Sequence, residues 1–150
     1  ILDPGIHLID LMFQITDKPV KGQALHSTNT FWKTGIEEEC HVIASDSETI
    51  FNIQASKVRW RNQFKIEVNG TDGYGIVEGR NRNYGNQTYR RGKRWGWQSG
   101  KSQKDSEVLV VDYNGEDSFI EETQAVLYGG EIKPATWEDN LKCLQFIDTL

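Results

Sequence analysis

The chain has 150 residues, of which 37% are hydrophobic and 26% charged, with three prolines and a net charge of −5. This length can form a core without disulfides or metals, and the composition excludes collagen-like, Pro-rich and strongly disordered proteins. No apolar run approaches the roughly 18 residues of a membrane span. We therefore predict one globular domain over residues 1–150, with no membrane interaction.

The two cysteines predict a reducing, cytoplasmic setting. Cys40 and Cys143 are too few for a disulfide framework and lack metal-ligand spacing, so we predict no metal site. The first residues, Ile-Leu-Asp-Pro, include neither a Met nor the basic and apolar regions of a signal peptide. We interpret the sequence as a piece of a longer protein.

Residues 4–15 predict the first helix. They are apolar on nearly every side, which is typical of a buried helix. Asp3 is expected as the N-cap and Pro4 as the first helical residue. The sequence Asp17-Lys18-Pro19 is expected to end the helix.

From Val20 to about Val111 the hydrophobic period is two, which predicts strands with one buried face. The clearest alternations cover 51–56 and 64–69, and a hairpin turn over 69–73 leads into a partner strand. The acidic run at 37–39 is expected to be a solvated strand entry. Weaker strand candidates cover 23–30, 38–44, 87–97 and 107–112.

Two helical patterns close the chain. The first covers about 117–128, and the second begins after Thr136, with Asp139 completing a capping box. The expected apolar face of the last helix is Trp137, Leu141, Leu144, Ile147 and Leu150. The order of one helix, many strands and two helices predicts an α+β fold: a largely antiparallel open sheet with helices packed on one face.

The charge is unevenly distributed along the chain. Residues 80–104, here called the basic segment, carry +8 and contain no Asp or Glu, which leaves −13 on the rest. Aromatic residues alternate with the cations, a pattern also found in proteins that bind single-stranded nucleic acids. Because the whole chain is acidic, we predict no nucleic-acid partner. A solvated loop without a role and a wall facing an anionic or glycosidic ligand both stay open.

Asp3 and His7 are four residues apart, which at a helix start places both side chains on one face. A carboxylate beside an imidazole orients the ring and suits it to proton transfer near neutral pH. Gly5 between them leaves room for a ligand near the backbone. The alternative is that Asp3 only caps the helix and His7 is a core histidine.

The segment Asp-Pro-Gly-Ile-His-Leu-Ile-Asp over residues 3–10 resembles the Asp-x-Gly-x-His-x-x-Asp motif of the glucose–fructose oxidoreductase / inositol dehydrogenase (Gfo/Idh/MocA) family. Other pieces follow in the family's order. The strand and turn ending Gly70-Thr71-Asp72-Gly73 resembles its Gly-Thr-x-Gly segment, and Ala-Thr-Trp-Glu-Asp at 135–139 is similar to family C-termini. The resemblance spans the chain, but only as the C-terminal domain of such an enzyme.

The resemblance implies an NAD- or NADP-dependent oxidoreductase acting on a sugar, sugar acid or polyol derivative. It implies that His7 is the acid/base on the reacting hydroxyl and that Asp3 assists it. It also implies an N-terminal dinucleotide-binding domain, a substrate between the two domains, and a homo-oligomer formed through the open sheet face. The chain itself has no Gly-x-Gly-x-x-Gly opening a helix, so we predict no cofactor-binding residues in it and no activity of the fragment alone.

The basic segment leads us to expect an anionic sugar, because arginine forks suit carboxylate or phosphate groups and aromatic rings stack on sugars. The candidate contacts are Tyr89, Arg90, Arg91, Arg94 and Trp95. The rival hypothesis is a non-catalytic binding or assembly module with the same fold.

Overall fold

The computed structural model describes residues 3–93, 107–110, 115–130 and 135–150. Along these ranges one helix is followed by strands and then by two helices, much as the periodicity predicts. In chain order they are α1 (Gly5–Ile15), β1 (Lys21–Thr28), β2 (Glu39–Ser45), β3 (Ile50–Ser56), β4 (Lys65–Asn69), β5 (Gly73–Glu78), the 3₁₀ turn Arg82–Tyr84, β6 (Thr88–Lys93), β7 (Glu107–Val110), α2 (Gly115–Tyr128) and α3 (Trp137–Asp148).

The strands of the described residues pair only in antiparallel fashion, so the predicted α+β fold is confirmed. They form two sheets rather than the one we expected, a three-stranded sheet in the order β1-β2-β3 and a four-stranded sheet in the order β4-β5-β6-β7. Residues 57–64, between β3 and β4, form no strand, because the exposed run Arg59-Trp60-Arg61 breaks the alternation.

The chain divides into two compact units. The first unit comprises Ile1–Arg59 and Pro134–Leu150, and it contains the three-stranded sheet with α1 and α3. The second unit, Trp60–Lys133, contains the four-stranded sheet and α2.

In the first unit, α1 and α3 pack on one face of the three-stranded sheet. Alternate residues of β2 are buried against them because successive side chains of a strand point to opposite faces. Each aliphatic side chain fully buried here contributes about 1.5–3 kcal/mol. Burial also raises the pKa of both cysteine thiols. The buried core cluster is Ile9, Met12, Cys40, Val42, Ala44, Ile53, Cys143 and Phe146.

The last helix has the predicted capping box but a different buried face. Thr136 Oγ1 accepts the Asp139 N–H at 3.2 Å, and the Asp139 carboxylate accepts the Thr136 N–H at 2.9 Å. Cys143 and Phe146 are buried, whereas Trp137, Leu141 and Leu144 are exposed, so the predicted stripe is wrong at these three positions. Ile147 and Leu150, its last two residues, are partly buried against the core. The Phe146 ring meets the Phe13 ring edge-on at 5.7 Å, which fixes this rotation of the helix.

The first helix is only partly enclosed. Ile9 and Met12 are fully or almost fully buried, but Ile15 is 50% exposed, so the expectation of burial on nearly every side is wrong. The buried side chains recur at the 3–4-residue spacing of an amphipathic helix. None of the described helices has both the length and the apolar character needed to cross a bilayer.

In the second unit, the hairpin between β4 and β5 forms as the sequence predicts. The Gly70 N–H donates to the Gly73 carbonyl oxygen at 2.8 Å, and the register pairs Ile66 with Val77. The helix expected over about 117–128 is α2. Its large apolar side chains are exposed, at Phe119, Ile120, Val126, Leu127 and Tyr128.

Candidate functional site

The start of α1 differs from the geometry that the sequence predicts. Pro4 is the N-cap residue, with φ −90° and ψ 7°, and no side chain caps the helix. The non-helical backbone of Pro4 moves the first helical residue to Gly5, so the prediction of Asp3 as N-cap is wrong. Asp3 precedes the helix and does not share a helical face with His7. Neither a hydrogen bond nor an ion pair joins these two described residues.

His7 lies on the exposed side of α1, in its first turn. Its backbone N–H donates to the Pro4 carbonyl oxygen at 3.3 Å, which fixes its position in the first turn. Since the side chain is exposed, the interpretation of His7 as a core histidine is wrong. An imidazole in this position is open to proton exchange with a ligand.

The Asp3 carboxylate pairs with a lysine from the end of β3. Asp3 Oδ2 lies 3.1 Å from Lys57 Nζ. The Lys57 N–H donates to the Glu38 carbonyl oxygen at 2.7 Å, so the backbone beside the pair is anchored to the start of β2. The two side chains are 74% and 46% exposed, and a pair so open to water contributes at most about 1 kcal/mol.

The depression beside this pair is small. Its internal volume is about 10 Å³, on the order of one water molecule. It is too small to enclose a sugar, so a ligand contacting Asp3 lies at the surface of this unit. Its lining residues are Asp3, Pro4, Glu37, Glu38, Glu39, Cys40, Ala55, Ser56 and Lys57.

Glu38 is buried, at 4% exposure, which corrects the prediction of a solvated acidic run at this position. Its Oε2 accepts the N–H of Phe31 at 2.7 Å, and its Oε1 accepts the N–H groups of Trp32 and Lys33 at 2.6 and 2.7 Å. Three backbone N–H donors replace the hydrogen bonds to water that the carboxylate loses on burial. The carboxylate thereby fixes the loop between β1 and β2.

Glu39 belongs to a polar cluster on the other face of β2. Its Oε1 accepts a hydrogen bond from Gln54 Nε2 at 3.0 Å and lies 3.4 Å from His41 Nε2. The Gln54 hydrogen bond, helped by His41, lowers the pKa of the Glu39 carboxyl group. His26 is paired with His41 in the sheet, with ring centroids 6.5 Å apart.

In the second unit, β6 carries three of the predicted substrate contacts. Tyr89 and Arg91 lie on one face of the strand and Arg90 on the other, because alternate residues point to opposite faces. Arg90 Nη2 donates to Glu78 Oε2 at 2.6 Å, so half of its fork is already occupied. Gly75, opposite Arg91, leaves space that the Tyr89 ring covers. Arg94 and Trp95 lie outside the described residues.

The face of the four-stranded sheet that holds Arg90 carries a second group of ion pairs. Lys65 Nζ lies 2.7 Å from Glu67 Oε2, and Asn69 Nδ2 donates to Glu67 Oε1 at 3.0 Å. The hydrogen bonds from Asn69 and Lys65 lower the pKa of Glu67, and the Glu67 hydrogen bond raises that of Lys65. This face is therefore largely neutralised by its own acids.

The described residues do not form a dinucleotide-binding fingerprint. Gly73 and Gly75 belong to β5, and the Gly79 N–H donates to the Phe64 carbonyl oxygen at 3.0 Å, so these glycines do not open a helix. A pyrophosphate site of that type needs free N–H groups at a helix N-terminus. Gly73, Gly75 and Gly79 therefore do not form a pyrophosphate site of that type. Within the described ranges, no group of three His, Cys, Asp or Glu side chains is arranged to hold a metal ion.

Sequence analysis missed Lys57 and Glu38. Lys57 is 54 positions from Asp3, and only the packing of β3 beside α1 brings them together. The sequence signal for burial of Glu38 was weak. In the structure, the Lys33-Thr34-Gly35 turn before it has left-handed backbone at Lys33 and Gly35. Such a turn exposes N–H groups that an acidic residue nearby in the chain can bind.

Comparisons with known proteins give a fold but no family. No protein-family model matches the chain, and no curated protein matches it. Among solved structures, yvaA from Bacillus subtilis, a protein assigned as an oxidoreductase, is similar to this chain with a TM-score of 0.65 and 14% sequence identity. At this identity the likeness shows a shared fold.

The match covers 98% of this chain and 48% of the yvaA chain. This chain thus spans about half the length of yvaA. Nearly all of its 150 residues correspond to one part of a larger protein whose assigned class is oxidoreductase.

Proposed function

We propose that this chain is the substrate-binding half of an NAD- or NADP-dependent oxidoreductase that acts on a sugar, sugar acid or polyol derivative. The observation that carries the proposal is the fold likeness over 98% of this chain to about half of a protein assigned as an oxidoreductase. The Gfo/Idh/MocA resemblance of residues 3–10 and 70–73 supports the same class. A separate dinucleotide-binding domain would hold the cofactor, whose role is to exchange a hydride with the substrate.

In this proposal His7 is the acid/base for the substrate hydroxyl. Oxidation of an alcohol releases the hydroxyl proton, and a positioned imidazole accepts it efficiently near neutral pH. The exposed side chain of His7 on the first turn of α1 supports this role. Asp3 assists from the residues just before the helix, with its carboxylate held 3.1 Å from Lys57 Nζ.

The substrate contacts proposed from the basic segment are Tyr89, Arg90, Arg91, Arg94 and Trp95. Tyr89 and Arg91 share a face of β6, which supports an aromatic ring and a cation acting together on one ligand. Arg90 has weaker support because Glu78 already occupies part of its fork. We also propose a cytoplasmic homo-oligomer that associates through a sheet face.

The test is a substrate screen with the full-length protein. Polyols, neutral sugars, sugar acids and sugar phosphates are incubated with NAD or NADP, and reduced cofactor is followed by absorbance at low and high salt. We expect turnover with a member of this panel and a salt-dependent KM for anionic substrates. Absence of reduced cofactor with every substrate, together with absence of cofactor binding, would contradict the proposal.

A non-catalytic binding module is the second candidate. It is favoured by one observation, that Asp3 is paired with Lys57 and not with His7, so the imidazole has no orienting carboxylate among the described residues. This candidate predicts saturable binding of a panel sugar without any cofactor turnover. Calorimetry and the absorbance assay on the same preparation distinguish the two.

A further inference from the structure

Arg80 lies within cation–π distance of two aromatic rings in the second unit. Its guanidinium carbon is 5.6 Å from the Phe64 ring centroid and 5.7 Å from the Tyr84 ring centroid. Guanidinium carries five N–H donors, more than two aromatic contacts occupy, so donors remain for a ligand. A guanidinium held in this way keeps the planar fork that matches a carboxylate or a phosphate.

The backbone holds both rings beside Arg80. The Gly79 N–H donates to the Phe64 carbonyl oxygen at 3.0 Å, which brings Phe64 to the residue preceding Arg80. The Tyr84 N–H donates to the Asn81 carbonyl oxygen at 3.1 Å. This bond closes the 3₁₀ turn and keeps the Tyr84 ring near Arg80. The aromatic surroundings of Arg80 are therefore set by main-chain bonds as well as by side-chain rotamers.

The backbone around Arg80 is strained. Asn81 has φ 60° and ψ −179°, a region that glycine occupies almost exclusively, and Arg82 has φ 53°. Two hydrogen bonds stabilise this conformation, from the Asn81 N–H to the Gly85 carbonyl oxygen at 2.7 Å and from the Gln87 N–H to Asn81 Oδ1 at 3.0 Å. Strained residues held by such bonds are concentrated at ligand sites.

Arg80 has no acidic partner in the part of the chain that the structure describes. Two other cations of the second unit do have one, since Lys65 pairs with Glu67 and Arg90 pairs with Glu78. Glu78 is the acid closest to Arg80 in sequence, so its pairing with Arg90 removes the nearest internal partner. Arg82, two residues on, adds a second exposed positive charge.

We propose that Arg80, with Arg82, forms a binding site for a small oxyanion, namely a carboxylate or phosphate group of a small molecule. Phe64 and Tyr84 hold the Arg80 guanidinium between their rings, and in the proposed site its N–H fork donates two hydrogen bonds to the anion. Arg82 contributes charge at the rim. Arg80 and Arg82 belong to the basic segment but are not among the five proposed substrate contacts, so the site is tested separately from the oxidoreductase activity.

The test is an NMR titration of the full-length protein with inorganic phosphate and, separately, with acetate, at ionic strength held constant with sodium chloride. We expect saturable shifts of the Arg80 side-chain Nε–H signal, and Arg80→Gln weakens binding on the order of tenfold or more. Arg61→Gln is the matched control, because Arg61 lies 4.7 Å from the Trp60 ring in the same unit but outside the strained loop. The preferred anion identifies the group that the site takes.

A second pair of variants keeps the Arg80 charge and changes only the aromatic side chain at position 84. Tyr84→Leu removes the ring and is expected to weaken anion binding several-fold, whereas Tyr84→Phe keeps the ring and the affinity. Backbone amide spectra of each variant show whether the second unit is intact. Shifts that rise linearly without saturation, or equal weakening by Arg80→Gln and Arg61→Gln, would overturn the proposal.

Discussion

Lys57 Nζ lies 3.1 Å from Asp3 Oδ2, so the carboxylate that sequence analysis paired with His7 pairs instead with Lys57. This pair joins the residue before α1 to the end of β3. Since both side chains are substantially exposed, water and salt screen the attraction between them.

We therefore expect Lys57→Gln to change the free energy of unfolding by less than about 1 kcal/mol. Urea unfolding of the full-length protein, monitored by a probe in the first unit, measures the change. Lys57→Arg is the control that keeps the charge. A loss well above this value would show that the pair is more deeply desolvated than its exposure indicates.

The buried Glu38 carboxylate predicts a larger effect. Glu38→Ala leaves three part-buried N–H groups, of Phe31, Trp32 and Lys33, without their acceptor, and a hydrogen bond to a charged group contributes about 1.5–3 kcal/mol. We expect a loss of at least about 1–3 kcal/mol in unfolding free energy and faster amide exchange at these three residues. Glu48→Ala, which removes an exposed partner of Lys18, is the control and should cost less than about 1 kcal/mol. Equal stability of the two variants would contradict this role of Glu38.

Gly79 and Gly85 provide a matched pair in the second unit. Both have positive φ, 77° and 79°, and Gly85 has ψ 170°, so alanine at either position takes up a strained backbone conformation that costs about 1–3 kcal/mol. A Cβ at Gly79 would also collide with the Asn86 carbonyl oxygen, whereas at Gly85 no atom lies within 4 Å.

Gly79→Ala should therefore be less stable than Gly85→Ala by a further 1–3 kcal/mol or so, the usual cost of overpacking. Thermal unfolding of both variants measures the difference. Similar melting temperatures would indicate that the backbone near Asn86 moves aside freely.

Two partly buried carboxyl groups predict acid sensitivity. The Thr16 hydroxyl, at 2.6 Å, together with backbone N–H groups, lowers the pKa of Asp46 below its usual value of 3.8. The Thr136 backbone and side chain do the same for the pKa of Asp139. A carboxyl group with a lowered pKa binds protons more weakly when folded, so it stabilises the protein above its unfolded pKa.

That stabilisation is lost as the pH falls below about 4 and through the lowered pKa values of the folded protein. We expect Asp46→Asn to flatten the dependence of unfolding free energy on pH in this acidic window and to leave its slope between pH 6 and pH 8 unchanged. Denaturant unfolding across both windows measures it. An unchanged acid slope in Asp46→Asn would contradict the assignment.

The elements that the sequence predicts well are those with a local cause. The alternation of Phe51, Ile53 and Ala55 gives β3, and Thr136 with Asp139 gives the start of α3. These signals depend on residues a few positions apart, which fix local backbone geometry before tertiary contacts form.

The errors share a tertiary cause. The buried stripe of α3 is set by the contact of Phe146 with Phe13, from the other end of the chain, and this rotates Trp137 into solvent. Glu38 is buried because a loop folds back over its carboxylate, which residue composition alone does not indicate. The pairing of Asp3 with Lys57 likewise depends on β3 packing beside α1.

The candidate site was predictable as a set of residues but not as a geometry. His7 is exposed on the first turn of α1, as an acid/base must be, yet its expected carboxylate partner lies elsewhere. In the basic segment, the sequence does not distinguish Arg90 from Arg80, because both are arginines near aromatic residues. Only the structure shows that Arg90 pairs with Glu78 and that Arg80 lacks an acidic partner among the described residues.

The most direct test of the proposed function is the turnover number of the full-length protein carrying His7→Ala, with reduced cofactor as the readout. Because the substrate hydroxyl needs a base, kcat should fall on the order of 10²–10⁴-fold. His26→Ala, which removes an exposed histidine on the sheet of the same unit, should leave kcat unchanged. Turnover of His7→Ala at the wild-type rate would contradict the assignment of His7 as the acid/base.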